Sequence, residues 1–550
     1  MLVHVALIGL LIAVLPIVRH LALVGGGFTS KTVCSGVFLS NRPLKSISEN
    51  ELAGLSAMLF VPVIDHHDRR VTTSLLGMSP YISDILNFPT PSAVFLGPKF
   101  GCQLQIYPVS TDSSAGFDFV QARDEDSLFA LEVPVTSHTN APVPLENFSS
   151  NDSSADAVRQ CVRDVVQWQF THAAYKTNQT RATVVLQGGR VIAEGYQTSH
   201  MGITSETPLL GWSMTKSVFA LVVGAAIQRG YLELDSPLLL NGMDGSHRRM
   251  LRKLNNNQDL TFRHLLRMDD VLFVEEDYNL LKFIVQALFG AHEISSFVLS
   301  NSGDDKGFSL IASKDKDFLG VRGSPTKPLG EPHPDAVADS ANFAWYYSSA
   351  VSNLLSQELR TRIGDDRKYW ALPHDLLFDL IGAGSFVLEM DPSGTFVASS
   401  FSYASGRDWA KLGQLLLNKG VWKQEDGTEV RVLPFEFVEF LQQPHPASGG
   451  HYGGQIWLNP ARVSVAEYNR IQPTHKNKNA NAWMTSVLPP DAYFFSGFEG
   501  QNVFIIPSLD LVISRLGFTR DISGSNGVTP LDWNHTAYYG GIVQCFQTNK

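Results

Sequence analysis

The alternation of apolar and polar positions divides much of the chain into strand-like and helix-like segments. Residues 181–197 carry two β-branched runs around Gly188 and Gly189, which predicts a hairpin, and residues 492–518 predict two more strands joined through Pro507 and Ser508. Between these regions the apolar positions recur mostly at helical spacing, as in 260–268, 278–289, 350–363 and 407–420. Strands at both ends with helices between them predict an α+β domain. We expect an antiparallel sheet formed by both ends of the domain, flanked by helices, with an inserted all-helical lobe.

The segment 2–18 is almost continuously apolar, and this predicts a signal peptide or signal anchor within residues 1–27. Pro16 interrupts the segment, and no Ala-x-Ala-like cleavage site is obvious. Arg19, Lys31 and Arg42 follow it and no Lys or Arg precedes it, which by the positive-inside rule argues against a simple lumenal C-terminal domain. Cleavage is left open. We expect a protein of the secretory pathway, either secreted or held by a single membrane span, with its catalytic domain outside the cytoplasm.

Three further regions follow this segment. Residues 28–134 alternate short apolar runs with turn residues and predict a small β-rich N-terminal extension. Residues 135–157 are rich in Ser, Asn, Pro and Ala, as is typical of an exposed linker. Residues 158–550 then form the main domain, in which the polar stretch 300–341 is expected to be a long loop.

Composition and charge limit the possible partners of the protein. The 550 residues carry a formal charge of −10 without a basic stripe, so a small molecule is a better expected partner than nucleic acid. Cys34 and Cys102 could cross-link the N-terminal region in an oxidising compartment, although sequence alone does not give the pairing. Sequons begin at Asn147, Asn151, Asn178 and Asn534 and are consistent with a glycoprotein. The stretch 65–70, DHHDRR, is interpreted as a solvated turn, and neither a metal nor an organic cofactor is expected.

One apolar helix begins with reactive side chains. Residues 211–230, GWSMTKSVFALVVGAAIQRG, place Ser213 and Lys216 three positions apart, which brings both to one face of a helix. A serine becomes a nucleophile when a base takes its proton, and a buried lysine can be that base. The helix start also offers backbone N–H groups to a developing oxyanion. Because Ser-x-x-Lys is a weak signal by itself, a capping serine with a neighbouring lysine remains the alternative at this point.

Two later stretches strengthen the catalytic interpretation. Tyr347 lies in FAWYYSSAVSNLLSQEL, and the glycine-bounded turn SGFEGQ, residues 496–501, leads into an apolar strand. The order Ser-x-x-Lys, Tyr-Ser-x and then a Gly-containing turn is the order used by penicillin-recognising serine hydrolases. With VVLQGGRVIAEGY, LTFRHLLRM, FSYASGRDWAKLGQLLLNKGVW and LPPDAYFFSGFEGQNVFIIPSLDLVISRLG, residues 160–545 resemble the class C β-lactamase-related serine hydrolases. Within that family they are most similar to the branch of 6-aminohexanoate-dimer hydrolases and family VIII esterases.

The resemblance implies a role for each matching residue. Ser213 would be the acylated nucleophile, Lys216 its base and Tyr347 the second acid/base. Ser349 stands where many members of the family have an Asn. The backbone N–H of Gln501 would complete an oxyanion hole with that of Ser213.

Two stretches depart from the family pattern. Phe498, Glu499 and Gly500 replace the Lys-Thr-Gly motif, so the cation that helps to hold a substrate carboxylate is absent and an acidic side chain has arrived. Asp269 and Asp270 replace a Ser-Gly turn; this change could reshape the pocket entrance, but we favour a capped turn. These departures disfavour penicillin turnover and favour hydrolysis of a small amide or ester. Two alternatives stay open, a non-catalytic binding or scaffold protein of the same fold and a D-aminopeptidase or transpeptidase-like enzyme. The oligomeric state is not predicted.

Overall fold

The computed structural model describes residues 2–52, 59–85, 88–105, 153–171, 180–241, 258–269, 347–445, 450–459, 487–519 and 535–547, together with shorter pieces between them. The helices are α1 Leu2–Cys34, α2 Leu44–Asn50, α3 Pro80–Ile85, α4 Ser153–Thr171, α5 Thr198–Met201, α6 Met214–Gln228, α7 Phe262–Arg267, α8 Phe283–Gly290, α9 Ser349–Ile363, α10 Asp366–Pro373, α11 Gly406–Leu417, α12 Phe435–Leu441 and α13 His535–Gln547. The strands are β1 Phe60–Asp65, β2 Arg70–Leu75, β3 Ser92–Gly97, β4 Gly101–Gln105, β5 Thr180–Gln187, β6 Arg190–Tyr196, β7 Leu209–Leu210, β8 Leu272–Val274, β9 Phe308–Leu310, β10 Val387–Leu388, β11 Ser402–Ala404, β12 Val421–Lys423, β13 Glu429–Arg431, β14 Trp457–Leu458, β15 Tyr493–Gly497, β16 Gln501–Ile506 and β17 Leu511–Gly517.

The chain divides into two compact units. The first consists of Met1–Thr136, Val274–Phe308 and Val387–Val397, and the second of Ser137–Phe273, Ser309–Phe386 and Ala398–Lys550. The N-terminal unit therefore includes two segments from much later in the chain. These segments are joined to it by tertiary contacts, which local sequence patterns do not predict.

Helix α1 is part of the core of the N-terminal unit. Strands β1 to β4 form an antiparallel sheet in sequential order, and residues 65–70 make the turn between its first two strands, as expected. Val24 and Val33 of α1 are fully buried, whereas Val14 and Ile17 are exposed. The disulfide Cys34–Cys102 ties the end of α1 to β4. The second half of the helix is therefore packed like a core helix of a folded domain.

The stretch Val14–Leu39 is the one candidate membrane span among the described residues, judged by length and a mean hydropathy of 1.2. Of the 18-residue window with this hydropathy, 67% is buried inside the protein. A signal sequence and a buried core helix both meet these criteria.

A buried ion pair holds a late segment within the N-terminal unit. The Lys31 ammonium donates to the Glu389 carboxylate, and both side chains are almost completely inaccessible to solvent. Glu389 also accepts from Ser35 Oγ at 2.7 Å and from the Cys102 N–H at 2.7 Å. Burial raises the pKa of Glu389 and lowers that of Lys31. The additional hydrogen bonds offset part of the cost of removing these charges from water.

The second unit is built on a six-stranded antiparallel sheet in the order β14-β15-β16-β17-β5-β6. The early hairpin β5–β6 pairs through β5 with β17, so both ends of the domain contribute to one sheet. The two predicted hairpins are present, with the turns at Gly188-Gly189 and Pro507-Leu509. Residues 492–518 nevertheless form three strands and not two, because a short 3-10 turn at Phe498–Gly500 separates β15 from β16. Helices α6, α7, α9 and α10 lie between the two sets of strands in sequence. The α+β prediction is confirmed.

Both faces of this sheet are covered by helices. Residues of α4 and α13 pack with Phe504 and Ile513 in one apolar cluster, while the backbone of α11 closely approaches Val503 and Val512. Alternate residues of a strand point to opposite faces, so consecutive positions in the middle of each strand are apolar, Val503–Ile506 in β16 and Leu511–Ile513 in β17. The disulfide Cys161–Cys545 joins α4 to α13.

Helix α4 begins at Ser153, so residues 153–157 are helical, although the composition of 135–157 predicts a linker. The helix starts at a Ser-Ser pair with Asp156 in its first turn, and these residue types favour a helix N-terminus. The same small polar residues are common in linkers, so composition alone does not separate the two. The other residues of that stretch lie outside the described part of the chain. So do most of the expected loop 300–341 and the four sequon asparagines.

Candidate active site

Ser213 lies at the sharp turn that starts α6. It is the N-cap residue and is partly exposed, and Trp212 before it has φ 48°, a left-handed conformation that bulky residues rarely adopt. Strand β7 leads into this turn and pairs with β11. The Gly211 N–H donates to the Ser402 carbonyl at 2.8 Å, and Thr215 Oγ1 lies 2.7 Å from Ser402 Oγ. The strained turn is thus held from both sides of Ser213.

Lys216 is buried beside Ser213, as the three-residue spacing predicts. The residue is only 1% exposed. Its Nζ lies 3.1 Å from Ser213 Oγ, 3.0 Å from Ser349 Oγ and 3.1 Å from the Ser399 carbonyl oxygen. A carbonyl oxygen only accepts, so it takes one N–H of the amine. When the neutral amine gives its other N–H to Ser349, its lone pair faces the Ser213 hydroxyl. The arrangement can therefore accept the proton of Ser213.

Tyr347 lies against the same amine and within a cluster of aromatic rings. Its ring centroid is 4.7 Å from Lys216 Nζ, and the residue is 8% exposed. The ring packs against Tyr452 and Trp457, with centroid separations of 5.9 and 5.4 Å, and Trp345 completes the cluster. The structure thus brings Ser213, Lys216, Tyr347 and Ser349 together, as the sequence predicted. Their catalytic roles are a proposal, developed below.

Asn353 fixes the carbonyl that accepts from Lys216, and sequence reasoning missed it. Its Oδ1 accepts from the Ser399 N–H at 3.2 Å, and its Nδ2 donates to Ser399 Oγ at 3.1 Å. Asn353 stands one turn after Ser349 on α9, on a buried face. A buried amide at that spacing is the signal that could have identified it. The Ser399 carbonyl has no such signal, because every residue carries one.

The turn SGFEGQ lies against the backbone that leads to Ser213. Strand β15 ends at Gly497 and β16 begins at Gln501, with a short 3-10 turn between them in which Glu499 has φ 63°. A Cβ added to Gly497 would lie 2.1 Å from the carbonyl oxygen of Gly211, so the two backbones are in close contact. Phe498, Glu499 and Gly500, the proposed third motif, therefore follow a glycine that is in close contact with the backbone leading to Ser213.

Gln501 and Gly500 at the end of this turn are buried. The side chain of Gln501 donates to the Gly517 carbonyl at 2.6 Å and accepts from the Gly517 N–H at 2.8 Å. These two bonds fix the side chain on β17. Any role of Gln501 in the site consequently rests on its backbone N–H.

Phe498 and Trp212 place apolar surface beside Ser213. Phe498 is 62% exposed, and its ring centroid lies 6.0 Å from that of Trp212 in an edge-on arrangement. The ring of Phe401 also packs against Trp212, with a centroid separation of 6.3 Å. Glu499 is partly exposed on the same turn. An exposed aromatic ring and a carboxylate can contact an apolar group and a cationic group of a ligand, respectively.

Arg515 hydrogen-bonds to the SGFEGQ turn, and sequence reasoning missed this residue as well. The residue is fully buried, and its Nη1 donates to the Gly500 carbonyl at 2.8 Å. Its Nη2 donates to Thr519 Oγ1 at 3.0 Å and to Thr180 Oγ1 at 3.1 Å. An arginine within an otherwise apolar strand is unusual, and that is the signal in LDLVISRLG that could have drawn attention to it.

The segment around Asp269 forms a turn, as interpreted from the sequence. Met268 ends α7 with φ 57°, and the Asp269 N–H donates to the His264 carbonyl at 3.1 Å. Asp269 Oδ2 lies 3.2 Å from His445 Nε2. Asp270 lies outside the described residues. Across the described part of the chain, no group of three or more His, Cys, Asp or Glu side chains is arranged to hold a metal ion.

Comparison with known proteins gives likenesses among solved structures. No family model matches the chain, and no curated protein sequence matches it. A family VIII carboxylesterase is 12% identical with a TM-score of 0.42, the match covering 72% of this chain and 98% of that one. A class C β-lactamase from Rhodobacter sphaeroides is 14% identical, with a TM-score of 0.38 and coverage of 72% and 99%. A Bacillus anthracis protein named as a 6-aminohexanoate-dimer hydrolase is 16% identical, with a TM-score of 0.40 and coverage of 68% and 79%.

Proposed function

We propose that this protein is a serine hydrolase that cleaves a small amide or ester through an acyl-enzyme on Ser213. The observation that supports it most is the 3.1 Å contact between Ser213 Oγ and the buried Lys216 Nζ. A second acceptor, the Ser399 carbonyl, orients the amine because it must take one of its N–H groups. A lysine that merely caps or covers a helix would not need this arrangement. Nucleophile, base and orienting group together form the minimal machinery of acyl transfer.

The first half of the reaction forms the acyl-enzyme. Ser213 Oγ attacks the substrate carbonyl carbon while its proton passes to Lys216 Nζ. The carbonyl oxygen becomes an oxyanion, which the N–H groups of Ser213 and Gln501 stabilise. Breakage of the C–N or C–O bond then releases the amine or alcohol, which takes a proton from the Lys216–Tyr347 pair.

The second half releases the acid. With the proton that the pair shares held on Lys216, the Tyr347 phenolate takes a proton from the water that attacks the acyl carbonyl carbon, and Lys216 returns a proton to the Ser213 oxygen as its bond to the acyl carbon breaks. Lys216 and Tyr347 are in contact, so the pair and not either residue alone would set the pH dependence of the reaction. No metal or organic cofactor takes part in this scheme.

The proposed substrate is a small ester or amide with an apolar portion. In this proposal Phe498 and Trp212 offer it aromatic surface, and Ser349, Glu499 and Gly500 supply the rest of its binding site. A β-lactam carboxylate would meet Glu499 instead of a cation, so such substrates are disfavoured. An amine-bearing substrate, as in D-aminopeptidases, would suit Glu499 and is the second candidate.

We also propose an extracytoplasmic location. All four cysteines of the chain are paired, as Cys34–Cys102 and Cys161–Cys545. Structural disulfides are typical of oxidising compartments. The exposed apolar side chains of Val14 and Ile17 suit a membrane-embedded start of α1 if that segment is retained.

The test is hydrolysis of p-nitrophenyl acetate and p-nitrophenyl butyrate by the purified protein and two variants. Ser213→Ala should lose at least a thousandfold in kcat/KM. Ser217→Ala is the matched control on the same helix, because its hydroxyl donates to the Gln455 carbonyl and not to Lys216. It should retain activity within a few fold. Equal rates for Ser213→Ala and the parent would exclude the proposed chemistry and favour a non-catalytic binding or scaffold protein.

A further inference from the structure

Arg515 is a buried cation that donates to neutral acceptors. Its guanidinium donates to the Gly500 carbonyl and to the hydroxyls of Thr180 and Thr519. Burial lowers its pKa to about 10, so the group remains positively charged at neutral pH. A buried charge is costly unless it is well hydrogen-bonded. One of these bonds is made to Gly500, the last residue of the proposed third motif.

The carbonyl that Arg515 contacts belongs to a peptide group of the proposed oxyanion hole. Gly500 C=O and Gln501 N–H are the two ends of one peptide bond, which resonance makes a single electronic unit. A hydrogen bond from a cation to the oxygen draws electron density away from the nitrogen. It thereby makes the N–H a stronger donor, as in other polarised hydrogen-bond chains.

We propose that Arg515 is a positioning residue that orients and polarises the Gly500–Gln501 peptide so that the Gln501 N–H stabilises the oxyanion. The inference rests on the proposed function of Ser213. Arg515 would thus supply positive charge to a turn whose own exposed side chains, Phe498 and Glu499, supply none.

The packing around the guanidinium fixes its direction. A Cβ added to Gly517 would lie 2.3 Å from the Arg515 Cζ, so the group rests directly on the backbone of β17. Thr519 accepts from the guanidinium through its hydroxyl, and its N–H donates to the Glu499 carbonyl at 3.1 Å. The turn and the cation are therefore held to the same strand end. Little reorganisation would be needed as charge develops, and this is the condition under which fixed donors contribute most.

This arrangement predicts a larger effect on the transition state than on substrate binding. The substrate carbonyl oxygen is neutral in the bound complex and becomes an oxyanion only as Ser213 attacks. A stronger N–H donor and a nearby positive charge therefore stabilise the tetrahedral species selectively. Loss of Arg515 should lower kcat and leave KM nearly unchanged.

The experiment compares Arg515→Met and Arg515→Lys with the parent. For p-nitrophenyl butyrate, Arg515→Met should lower kcat about 10- to 100-fold, part of the effect of losing one oxyanion donor, with KM changing less than about threefold. Phenylboronic acid, which adds to a serine as a tetrahedral anion, should bind more weakly by the same factor as kcat. Arg515→Lys keeps the charge but not the fork and should lie between the two. Thermal denaturation checks that each variant is folded, and Arg515→Lys serves if Arg515→Met does not fold.

Arg407→Lys is the matched control. Arg407 of α11 donates through Nε and Nη2 to the Glu194 carboxylate of β6, so its guanidinium is engaged by this carboxylate and not by the Gly500–Gln501 peptide. Its kcat should equal that of the parent. An Arg515 variant that loses thermal stability but keeps the parent's kcat and boronate affinity would overturn the proposal, because the residue would then be only structural. A parent without esterase activity or boronate binding would instead overturn the proposed function itself.

Discussion

Gly497→Ala should separate the third-motif turn from the nucleophile with one added methyl group. Gly497 has φ −131° and ψ 161°, an extended conformation that alanine adopts freely. The substitution therefore brings no backbone strain of its own. Its new Cβ would, however, lie 2.1 Å from the Gly211 carbonyl oxygen, well inside van der Waals contact. Since Gly211 leads into the strained turn at Ser213, the overlap must be relieved where the two backbones meet.

The size of the effect follows from that overlap. An ordinary contact between carbon and oxygen is about 3.4 Å, so the two backbones must separate by roughly 1 Å. A displacement of that size in a catalytic constellation costs about 10²-fold. Loss of one oxyanion donor costs about 10²- to 10³-fold in kcat. We therefore expect Gly497→Ala to lower kcat/KM for p-nitrophenyl butyrate by about 10²- to 10³-fold.

The assay measures ester hydrolysis, thermal denaturation and the rate of Ser213 labelling by a fluorophosphonate. Gly541→Ala in α13 is the control, because a Cβ there would meet Val165 at an ordinary 3.5 Å. That variant should hydrolyse the ester like the parent. A folded Gly497→Ala protein that is labelled at the parent's rate would refute the proposed approach of the turn to Ser213.

Three other substitutions test the site and the scaffold. Asn353→Leu removes the amide that orients the carbonyl accepting from the proposed base, so kcat should fall about 10- to 100-fold while KM changes little; an unchanged kcat would contradict its positioning role. Glu389→Gln leaves Lys31 buried without its carboxylate and should lower the free energy of unfolding by about 3 to 5 kcal/mol in urea denaturation, with the double variant Lys31→Met/Glu389→Gln recovering part of it. Replacing both Cys161 and Cys545 by Ser, which opens a link between residues 384 positions apart, should cost about 2 to 4 kcal/mol, and a variant as stable as the parent would show that the link is not structural.

Local patterns were sufficient for much of the fold and for the reactive pair. The hairpin β5–β6 follows from β-branched runs around Gly188-Gly189, where both glycines have positive φ. The contact of Ser213 with Lys216 follows from helical periodicity, which brings residues three apart to one face. Both depend on neighbours in sequence.

Long-range contacts explain what the sequence did not reveal. Hydropathy alone does not distinguish a signal segment from a helix such as α1, whose second half is buried against a sheet. The Lys31–Glu389 pair contributes to holding Val387–Val397 in the N-terminal unit, and its members lie far apart in the chain. The Ser399 carbonyl contacts Lys216 and the Arg515 guanidinium contacts Gly500 through tertiary packing, which local sequence patterns do not predict.

The most direct measurement is the intact mass of the purified parent and of Ser213→Ala after exposure to a fluorophosphonate. The proposed mechanism predicts one phosphonyl adduct on the parent, mapped to the peptide that contains Ser213, and no adduct on the variant. A parent that remains unmodified, or a variant that is modified equally, would contradict an activated serine at this position.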